Sequence, residues 1–389
     1  MCVLIVSCSD APATDGGGGA NAGGTTGTGG APPVTGGTTG AITGGSDDTG
    51  PGTESAASDD SAGTGTVGPM DLWVAPDGLD TNPGTEALPF KTLFQGVKSS
   101  RSNSTIWMKD GVYPTVGTID LNFQGNPTAT MKIYAVEGAR PILDFSMQAA
   151  GDSARGLSIQ GNYYHIRGIE IMNAKDNCIL ISGSNNTIER VVTHGCGDTG
   201  IQITISEGQA TNDALGANNQ IINCDSYENL DVATNGENAD GFAAKLRIGP
   251  GNVFRGCRAW NNADDGWDFF AADDVVTVED SWAFENGIIP GGGNSNGDGN
   301  GFKLGGQPDG AGQGHAPHEL NRVAGFDNRN CGFTLNNNDT TPSLSDCAVG
   351  GNGDDYCSVD CSPTRNTSTN ADAAKAMPRN ADGSLPALP

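Results

Sequence analysis

Short runs of alternating apolar and polar residues recur along the chain, and most begin with a glycine followed by an aromatic residue. Side chains alternate between the two faces of a strand, so each run predicts a β-strand with one buried face. The shortest interval between these glycines, 25 residues, is the length expected for one turn of a parallel β-helix, and longer intervals are interpreted as turns with loops. The copies are Asp240-Gly241-Phe242, Asp265-Gly266-Trp267, Asn300-Gly301-Phe302, Cys331-Gly332-Phe333 and the weaker Thr199-Gly200-Ile201.

Aligning the copies predicts rungs that stack along a solenoid. Such in-register stacking is not expected of an irregular β-sandwich, the alternative fold, and we therefore predict an all-β, single-stranded parallel β-helix. Its N-terminal cap comprises a strand at Leu72-Trp73-Val74 and a short helix from Thr92 to Ser99. Two inward stacks are predicted: Phe242, Trp267, Phe302 and Phe333, and then Ala244, Phe269, Leu304 and Leu335. The positions between them, 243, 268, 303 and 334, point outward. A second ladder, upstream of each glycine in the chain, contains Tyr227, Trp260, Phe284 and Phe326.

Composition divides the chain into three parts. Residues 1–69 contain no aromatic residue, Lys or Arg, and we expect a disordered Gly/Thr-rich linker there. At its start, Ile5-Val6-Ser7-Cys8 resembles a bacterial lipobox, which indicates a truncated lipoprotein-type signal with a lipid anchor at Cys8. Residues 70–361 are the predicted β-helix catalytic domain, and the polar residues 362–389 are predicted to form a loose tail.

The formal net charge of −26 narrows the range of partners. Nucleic-acid binding requires clustered Lys and Arg, and binding to anionic lipid requires a basic surface, so both are excluded. We expect a monomeric extracellular or cell-surface protein whose only membrane contact is the anchor at Cys8. Eight of the ten cysteines lie in the predicted domain, and their pairing stays open; Cys224 and Cys257 share a rung as either a disulfide or two stacked thiols.

Four aspartates converge in the predicted solenoid. Asp240 and Asp265 occupy the same position in consecutive turns, Asp264 adjoins Asp265, and Asp268 lies two residues beyond Gly266. With no basic residue among them, these carboxylates would repel one another, and Ca²⁺, which prefers six to eight oxygen ligands, resolves the repulsion. The alternative is a solvated acidic turn. The loop from Asn294 to Asn300 is a second candidate for calcium, although a flexible turn is favoured there.

Lys303 follows its glycine by two residues, as Asp268 does, so it points outward one rung from the carboxylates. A bound cation nearby would lower the pKa of this lysine and make it a candidate general base. The alternative is a surface lysine paired with Asp268. A cation beside a base suggests proton abstraction α to a uronate carboxylate, followed by β-elimination of the 4-linked sugar.

Three blocks resemble the pectate lyases of polysaccharide lyase family 9: Asn238 to Leu246, Asn262 to Asp268, and Gly299 to Gly306. The opening segments Val74 to Gly78, Asn82 to Thr85 and Pro89 to Leu93 are similar to the start of that family. The resemblance implies a right-handed parallel β-helix, a polysaccharide lyase that cleaves polygalacturonate, and Lys303 as its base. It implies calcium ligands at Asp240, Asp264, Asp265 and Asp268, and weaker substrate contacts at Lys245, Arg247, Asn300, Arg329 and Asn336.

Two other functions fit parts of the same pattern. A polygalacturonase-like hydrolase would use Asp240, Asp264 and Asp265 as acid and base carboxylates, but the Gly-His-Gly and Arg-Ile-Lys elements of that family are missing. A non-catalytic surface protein could bind acidic glycan through calcium and would need the aspartates but not Lys303. A β-helix alone does not prove an activity.

Overall fold

The computed structural model of the protein describes residues 70–151, 153–205, 215–306 and 315–387. The anchor predicted at Cys8 and the linker over residues 1–69 lie outside these ranges and stay predictions.

Within the described residues, the chain forms 29 short strands and two short helices, α1 (Leu93–Ser99) and α2 (Ala371–Ala376). In chain order, the strands are β1 (Met70–Val74), β2 (Ser104–Met108), β3 (Gly111–Pro114), β4 (Ile119–Leu121), β5 (Met131–Ala135), β6 (Pro141–Asp144), β7 (Leu157–Ile159), β8 (Tyr164–Arg167), β9 (Glu170–Met172), β10 (Ile179–Ile181), β11 (Thr187–Glu189), β12 (Val192–His194), β13 (Ile201–Ile203), β14 (Gln220–Ile222), β15 (Asp225–Tyr227), β16 (Phe242–Ala244), β17 (Asn252–Arg255), β18 (Arg258–Trp260), β19 (Trp267–Asp268), β20 (Val276–Glu279), β21 (Trp282–Phe284), β22 (Phe302–Lys303), β23 (Glu319–Asn321), β24 (Ala324–Phe326), β25 (Cys331–Thr334), β26 (Ser343–Ser345), β27 (Cys347–Gly350), β28 (Asp354–Cys357) and β29 (Thr364–Asn366).

The strands make three sheets, and from β2 to β28 each turn of the chain adds one strand to every sheet. Neighbours such as β8 and β11, or β16 and β19, pair in parallel. This arrangement confirms the predicted parallel β-helix. Sheet 1 has the order β1-β2-β5-β8-β11-β14-β17-β20-β23-β26, sheet 2 the order β3-β6-β9-β12-β15-β18-β21-β24-β27-β29, and sheet 3 the order β4-β7-β10-β13-β16-β19-β22-β25-β28.

The predicted inward aromatic stack lies on sheet 3. Phe242 pairs with Trp267, Trp267 with Phe302, and Phe302 with Phe333, and the ring centroids of these neighbours are 4.8, 4.8 and 5.0 Å apart. All four side chains are fully buried. Stacked aromatic pairs contribute about 0.5–1.5 kcal/mol each beyond area burial. The stack therefore fixes the register that brings the site residues together.

A ladder of hydrogen-bonded asparagines lies in the turn between sheet 2 and sheet 3. Each side-chain amide donates to the side-chain oxygen of the next asparagine, one turn further along, at 2.9–3.0 Å. Asn261, beside this ladder, has φ 51°, a left-handed conformation that asparagine tolerates. The ladder includes Asn262, which lies two residues before Asp264. Its members are Asn229, Asn262, Asn286, Asn328 and Asn352.

The N-terminal cap matches the prediction. β1 pairs with β2, and α1 buries Leu93 and Gly96 beside these strands. The side chain of Thr92 accepts a hydrogen bond from the Gln95 amide, so it is the N-cap that starts the helix.

The predicted loose tail is wrong. The upstream aromatic ladder is in register as expected but lies on the outside of sheet 2, and α2 packs Ala371 and Ala374 against this cluster. Arg379 and Arg258 both pair with Asp225, at 2.5 and 2.8 Å. The tail is ordered because it covers apolar rings and supplies charged groups that pair with the domain.

Three disulfides form within the described residues: Cys178–Cys196, Cys331–Cys357 and Cys347–Cys361. Cys224 and Cys257 are buried thiols, so the stacked-thiol alternative holds for that pair.

Candidate active site

The candidate site lies on the outer side of sheet 3, at β16, β19 and β22. The register places Ala243, Asp268 and Lys303 in one outward row, as predicted. The turns from sheet 2 deliver the remaining carboxylates just before these strands. Although the row faces away from the core, the Lys303 side chain is only 6% exposed, because neighbouring side chains cover it.

Three of the predicted calcium ligands form a compact cluster. One carboxylate oxygen each from Asp240, Asp264 and Asp265 lies within 4.8 Å of the others. All three residues are buried, with at most 3% exposure. Among the described residues, this is the one group of acidic, His or Cys side chains arranged to hold a metal ion.

Neighbouring groups donate hydrogen bonds to every carboxylate of the cluster. Asp264 Oδ1 accepts from the Asp298 amide at 2.6 Å, and Asp265 Oδ1 accepts from the Asn300 amide at 2.7 Å and its side-chain amide at 3.0 Å. Asp240 Oδ2 accepts from Thr199 Oγ1 at 2.9 Å, and Asp240 Oδ1 accepts from the Asp265 amide at 3.2 Å. These contacts fix the orientation of the three carboxylates, and those of Asp264 and Asp265 each engage only one oxygen.

The second oxygen of Asp265 supports a cation site. Asp265 Oδ2 is buried and accepts no hydrogen bond, and the nearest recorded cation, Lys303 Nζ, is 3.6 Å away. A buried carboxylate oxygen without a partner is costly. A hard divalent cation with oxygen ligands, such as Ca²⁺, would satisfy it, so the residues present fit that ion.

Burial raises the pKa of all three carboxyls. The pKa of Asp240 is raised to about 6, chiefly by burial, with Lys245 acting in the opposite direction. The pKa values of Asp264 and Asp265 are raised well above the usual range, because burial and the neighbouring carboxylates outweigh the effect of Lys303. Without added positive charge, the cluster therefore favours protonated carboxyl groups.

The expectation that no basic residue lies among the aspartates is wrong. Lys245 Nζ lies 2.7 Å from Asp240 Oδ2 and 3.2 Å from Asp268 Oδ2, and the side chain is 13% exposed. Asp268 turns toward this lysine and does not belong to the three-carboxylate cluster. Burial lowers the pKa of Lys245, but Asp240 and Asp268 outweigh it and raise the net value.

Lys303 contacts several carboxylates. Its Nζ lies 2.8 Å from Asp298, 3.6 Å from Asp265 and 3.9 Å from Asp268, and 5.6 Å from the centroid of the Phe270 ring. Burial lowers the pKa of the ammonium, but the carboxylates, led by Asp268 and Asp265, outweigh it. With the chain's own groups alone, the pKa of Lys303 is therefore raised; the predicted fall concerns the protein with a bound cation.

The predicted substrate contacts fall into different environments. Asn300 is buried against Asp265, as described above. Asn336 is half-buried and donates to the Gly305 carbonyl at 3.0 Å. Arg247 is half-buried in the segment after β16. Arg329 donates to carbonyls of the Asn294–Asn300 loop.

Sequence reasoning missed Asp298 and Thr199 as parts of the site. Asp298, with a side chain 45% exposed, is the counter-ion of Lys303. The position of Asp298, two residues before the candidate substrate contact Asn300, could have indicated this role, but the sequence of the loop favours a flexible turn. Thr199 is the first residue of the weakest copy of the glycine motif, one turn before Asp240, and its hydroxyl reaches the Asp240 carboxylate.

A parallel β-helix with a buried acidic cluster and a lysine on the outer side of one sheet defines the class of this protein. The family model described as Pel9A-like, right handed beta helix region, matches residues 72–370. The chain therefore belongs to the Pel9A-like, right-handed parallel β-helix family.

Curated relatives of the chain are named pectate lyases. Pectate lyase L from Paenibacillus polymyxa (strain SC2) is 39% identical over 306 residues, which cover 77% of this chain and 67% of the relative. Pectate lyase L from Dickeya chrysanthemi is 35% identical over 275 residues, which cover 68% of this chain and 61% of the relative. The alignments thus leave about a third or more of each relative unmatched.

A solved structure, titled crystal structure of pectate lyase Pel9A, has a similar fold. The TM-score is 0.69 at 29% sequence identity, and the match covers 82% of this chain and 88% of that chain. In the part of the chain that the structure describes, no helix is long and apolar enough to cross a membrane.

Proposed function

We propose that the protein is a calcium-dependent pectate lyase that cleaves α-1,4-linked galacturonan by β-elimination, with Lys303 as general base. The observation that carries the proposal is the position of Lys303 Nζ, 3.6 Å from the unpartnered oxygen of Asp265, beside the three-carboxylate cluster. Family membership and the names of the relatives support the substrate class.

Asp240, Asp264 and Asp265 are the proposed calcium ligands, with Asp268 as a fourth that would have to turn away from Lys245. When bound, the ion would supply positive charge that lowers the pKa of Lys303 and acidifies the C5 proton of a uronate. Thr199, Asp298 and Asn300 hold the carboxylates in place by hydrogen bonds.

The chemistry assigned to Lys303 is proton abstraction. The neutral amine takes the C5 proton of a galacturonate, the C5 electron pair forms the C4=C5 double bond, and the C4–O bond breaks. The departing sugar oxygen takes a proton from water, and Lys303 ends the step as an ammonium. Asp298, 2.8 Å from Nζ, stabilises that ammonium.

The test is ultraviolet absorbance of the unsaturated uronate product on polygalacturonate, with calcium and then with EDTA. We expect a calcium-dependent rise that Lys303→Met abolishes while calorimetry shows that the variant still binds calcium. The matched control, Lys375→Met, removes a half-exposed lysine paired with Glu285 and should leave the rate unchanged.

Other outcomes would favour the alternatives. New reducing ends without absorbance would indicate a hydrolase. Polymer retention and calcium binding without turnover would indicate a glycan-binding protein, and a Lys303→Met variant with full activity would refute the assignment of the base.

We also propose that the chain is exported. Three disulfides support this, since such bonds persist mainly in oxidising compartments. Anchoring through Cys8 and a monomeric state are parts of the same proposal. Fractionation of the producing cells with and without mutation of Cys8, and light scattering of the purified protein, test them.

A further inference from the structure

We propose that Arg329 is a positioning residue that sets both the carboxylate cluster and Lys303 through the loop from Asn294 to Asn300, without contacting substrate. The inference rests on the proposed calcium site and on the proposed role of Lys303.

Both terminal nitrogens of the Arg329 guanidinium donate to this loop. Nη1 donates to the Ser295 carbonyl at 2.6 Å and to Ser295 Oγ at 3.2 Å, and Nη2 donates to the Gly297 carbonyl. Among the described residues, no carboxylate lies within ion-pair distance of it, in contrast to Arg255, Arg258 and Arg322. An arginine whose partners are carbonyls of one loop is placed to hold the shape of that loop.

The held segment delivers the contacts that orient the site. The Asp298 amide donates to Asp264 Oδ1, and the amide and side chain of Asn300 donate to Asp265 Oδ1. The Asp298 carboxylate lies 2.8 Å from Lys303 Nζ. Two of the three cluster carboxylates and the proposed base thus depend on two residues, Asp298 and Asn300, that lie next to the arginine's partners in the loop.

Hydrogen bonds, and not apolar packing, hold the loop in place. Residues 288–300 contain five glycines, and no side chain of this segment belongs to either buried hydrophobic cluster. Its other contacts are hydrogen bonds, such as those from the Asn296 amide to Asn235 and from the Asn330 amide to Gly299. The loop therefore depends on polar contacts, and those of the charged guanidinium are of the stronger, charge-assisted kind.

Two glycines show that the chain closes tightly on this side chain. Gly287 has φ 89° and Gly299 has φ 77°, and a Cβ added to either would lie 2.9–3.0 Å from its nearest Arg329 atom. Only glycine fits these positions without displacing the arginine. The backbone at Gly287 and Gly299 therefore packs closely against the Arg329 side chain.

The test compares Arg329→Ala and Arg329→Lys with the wild-type protein. We expect Arg329→Ala to weaken calcium binding in calorimetry by about tenfold or more, the range seen when a group that orients a metal ligand is lost. At saturating calcium, kcat should fall while KM for polygalacturonate stays within twofold. Lysine should restore little, since one ammonium cannot replace the two-pronged guanidinium.

Chemical rescue separates a positioning role from simple damage. Low millimolar guanidinium should recover calcium affinity and kcat in Arg329→Ala, and should do nothing for Lys303→Met. The matched control is Arg322→Ala, which removes an exposed arginine paired with Asp280 and should change neither quantity. If Arg329→Ala does not fold, calcium affinity and kcat of Arg329→Lys are compared with those of the wild-type protein instead.

Hydrogen exchange of the peptide over residues 294–303, measured in EDTA, decides the inference independently of the function. Faster exchange in Arg329→Ala, confined to this peptide, supports it. If the wild type binds no calcium and makes no product, the proposed function fails, and the exchange result still stands. Unchanged exchange, or a raised KM with unchanged calcium affinity, overturns the inference and makes Arg329 a substrate contact.

Discussion

The aspartates of the site are buried before any ion arrives, and this burial controls their chemistry. Asp240, Asp264 and Asp265 all have raised pKa values because burial disfavours their charged forms. Their fixed oxygens mean that an ion need not reorganise them, but it must displace their protons. The proposed binding of calcium would therefore be coupled to proton release at this site.

We predict that calcium stabilises the protein more at pH 8 than at pH 5. The pKa of Asp240 rises from 3.8 to about 6 on folding. A raised carboxyl pKa gives stability that is fully present below the unfolded-state value and is lost as pH rises through the folded-state value. A shift of about two units corresponds to about 3 kcal/mol in the metal-free protein above pH 6, and calcium should offset this loss.

The measurement is the difference in Tm between calcium and EDTA at the two pH values. Taking this difference cancels groups remote from the site, such as Asp225, whose pKa is lowered on folding. An equal calcium-induced shift at both pH values would contradict the prediction.

The sequence located the acidic residues but not their partners. Rung spacing places Asp240, Asp265 and Lys303 correctly, because a solenoid repeats backbone positions. It gives no information on where a long, flexible side chain turns. Lys245, five residues after Asp240, reaches back to that carboxylate, and Asp268 turns toward it.

The turn between sheets 2 and 3 is the element that carries the site. Its asparagine ladder holds the backbone that leads into Asp264 and Asp265. Asparagine and aspartate are common in turns, so composition predicted a turn but not which side chains bond along the ladder.

We predict that Asn262→Ala destabilises the protein by about 3 kcal/mol, because buried groups left without partners cost about 1–3 kcal/mol each. Asn262 accepts from the Asn229 side chain and donates to the Asn286 side chain, and all three are buried. Urea unfolding in EDTA measures the loss. Asn352→Ala, at the half-buried end of the ladder, is the control and should cost about 1 kcal/mol, since water can replace its contacts.

A similar loss for the two variants would mean that position in the ladder does not matter. Calcium affinity gives a second readout. It should fall in Asn262→Ala, two residues before Asp264, and stay unchanged in Asn352→Ala.

The C-terminal segment shows why an element can be missed. Its residues are mostly polar, and α2 presents only Ala371 and Ala374 as buried apolar groups. What orders it is a set of partners on the domain: the outer rings of sheet 2, and Asp225, which pairs with Arg379. Those partners are distant in sequence, so local composition could not reveal them.

Charge sets the behaviour of the whole molecule toward an acidic polymer. The net charge of −26 repels polygalacturonate at long range. Near the site, however, Lys245, Lys303 and the proposed divalent cation would together nearly balance the surrounding aspartates. The net charge of the whole molecule therefore repels the polymer at long range, whereas binding of the polymer would depend on short contacts at the site.

We predict that, at saturating calcium, KM for polygalacturonate falls when ionic strength rises from about 0.01 to 0.15 M. The Debye length shortens from about 30 to about 8 Å over this range, so salt removes the remote repulsion and leaves short contacts within the site largely intact. The measurement is the rate of product absorbance against substrate concentration at each salt level, with kcat as the internal reference. A highly methyl-esterified pectin, which carries little charge, is the control and should show a much smaller change in KM. A KM that rises with salt would mean instead that attraction near Lys245 and Lys303 reaches far enough to outweigh the charge of the molecule.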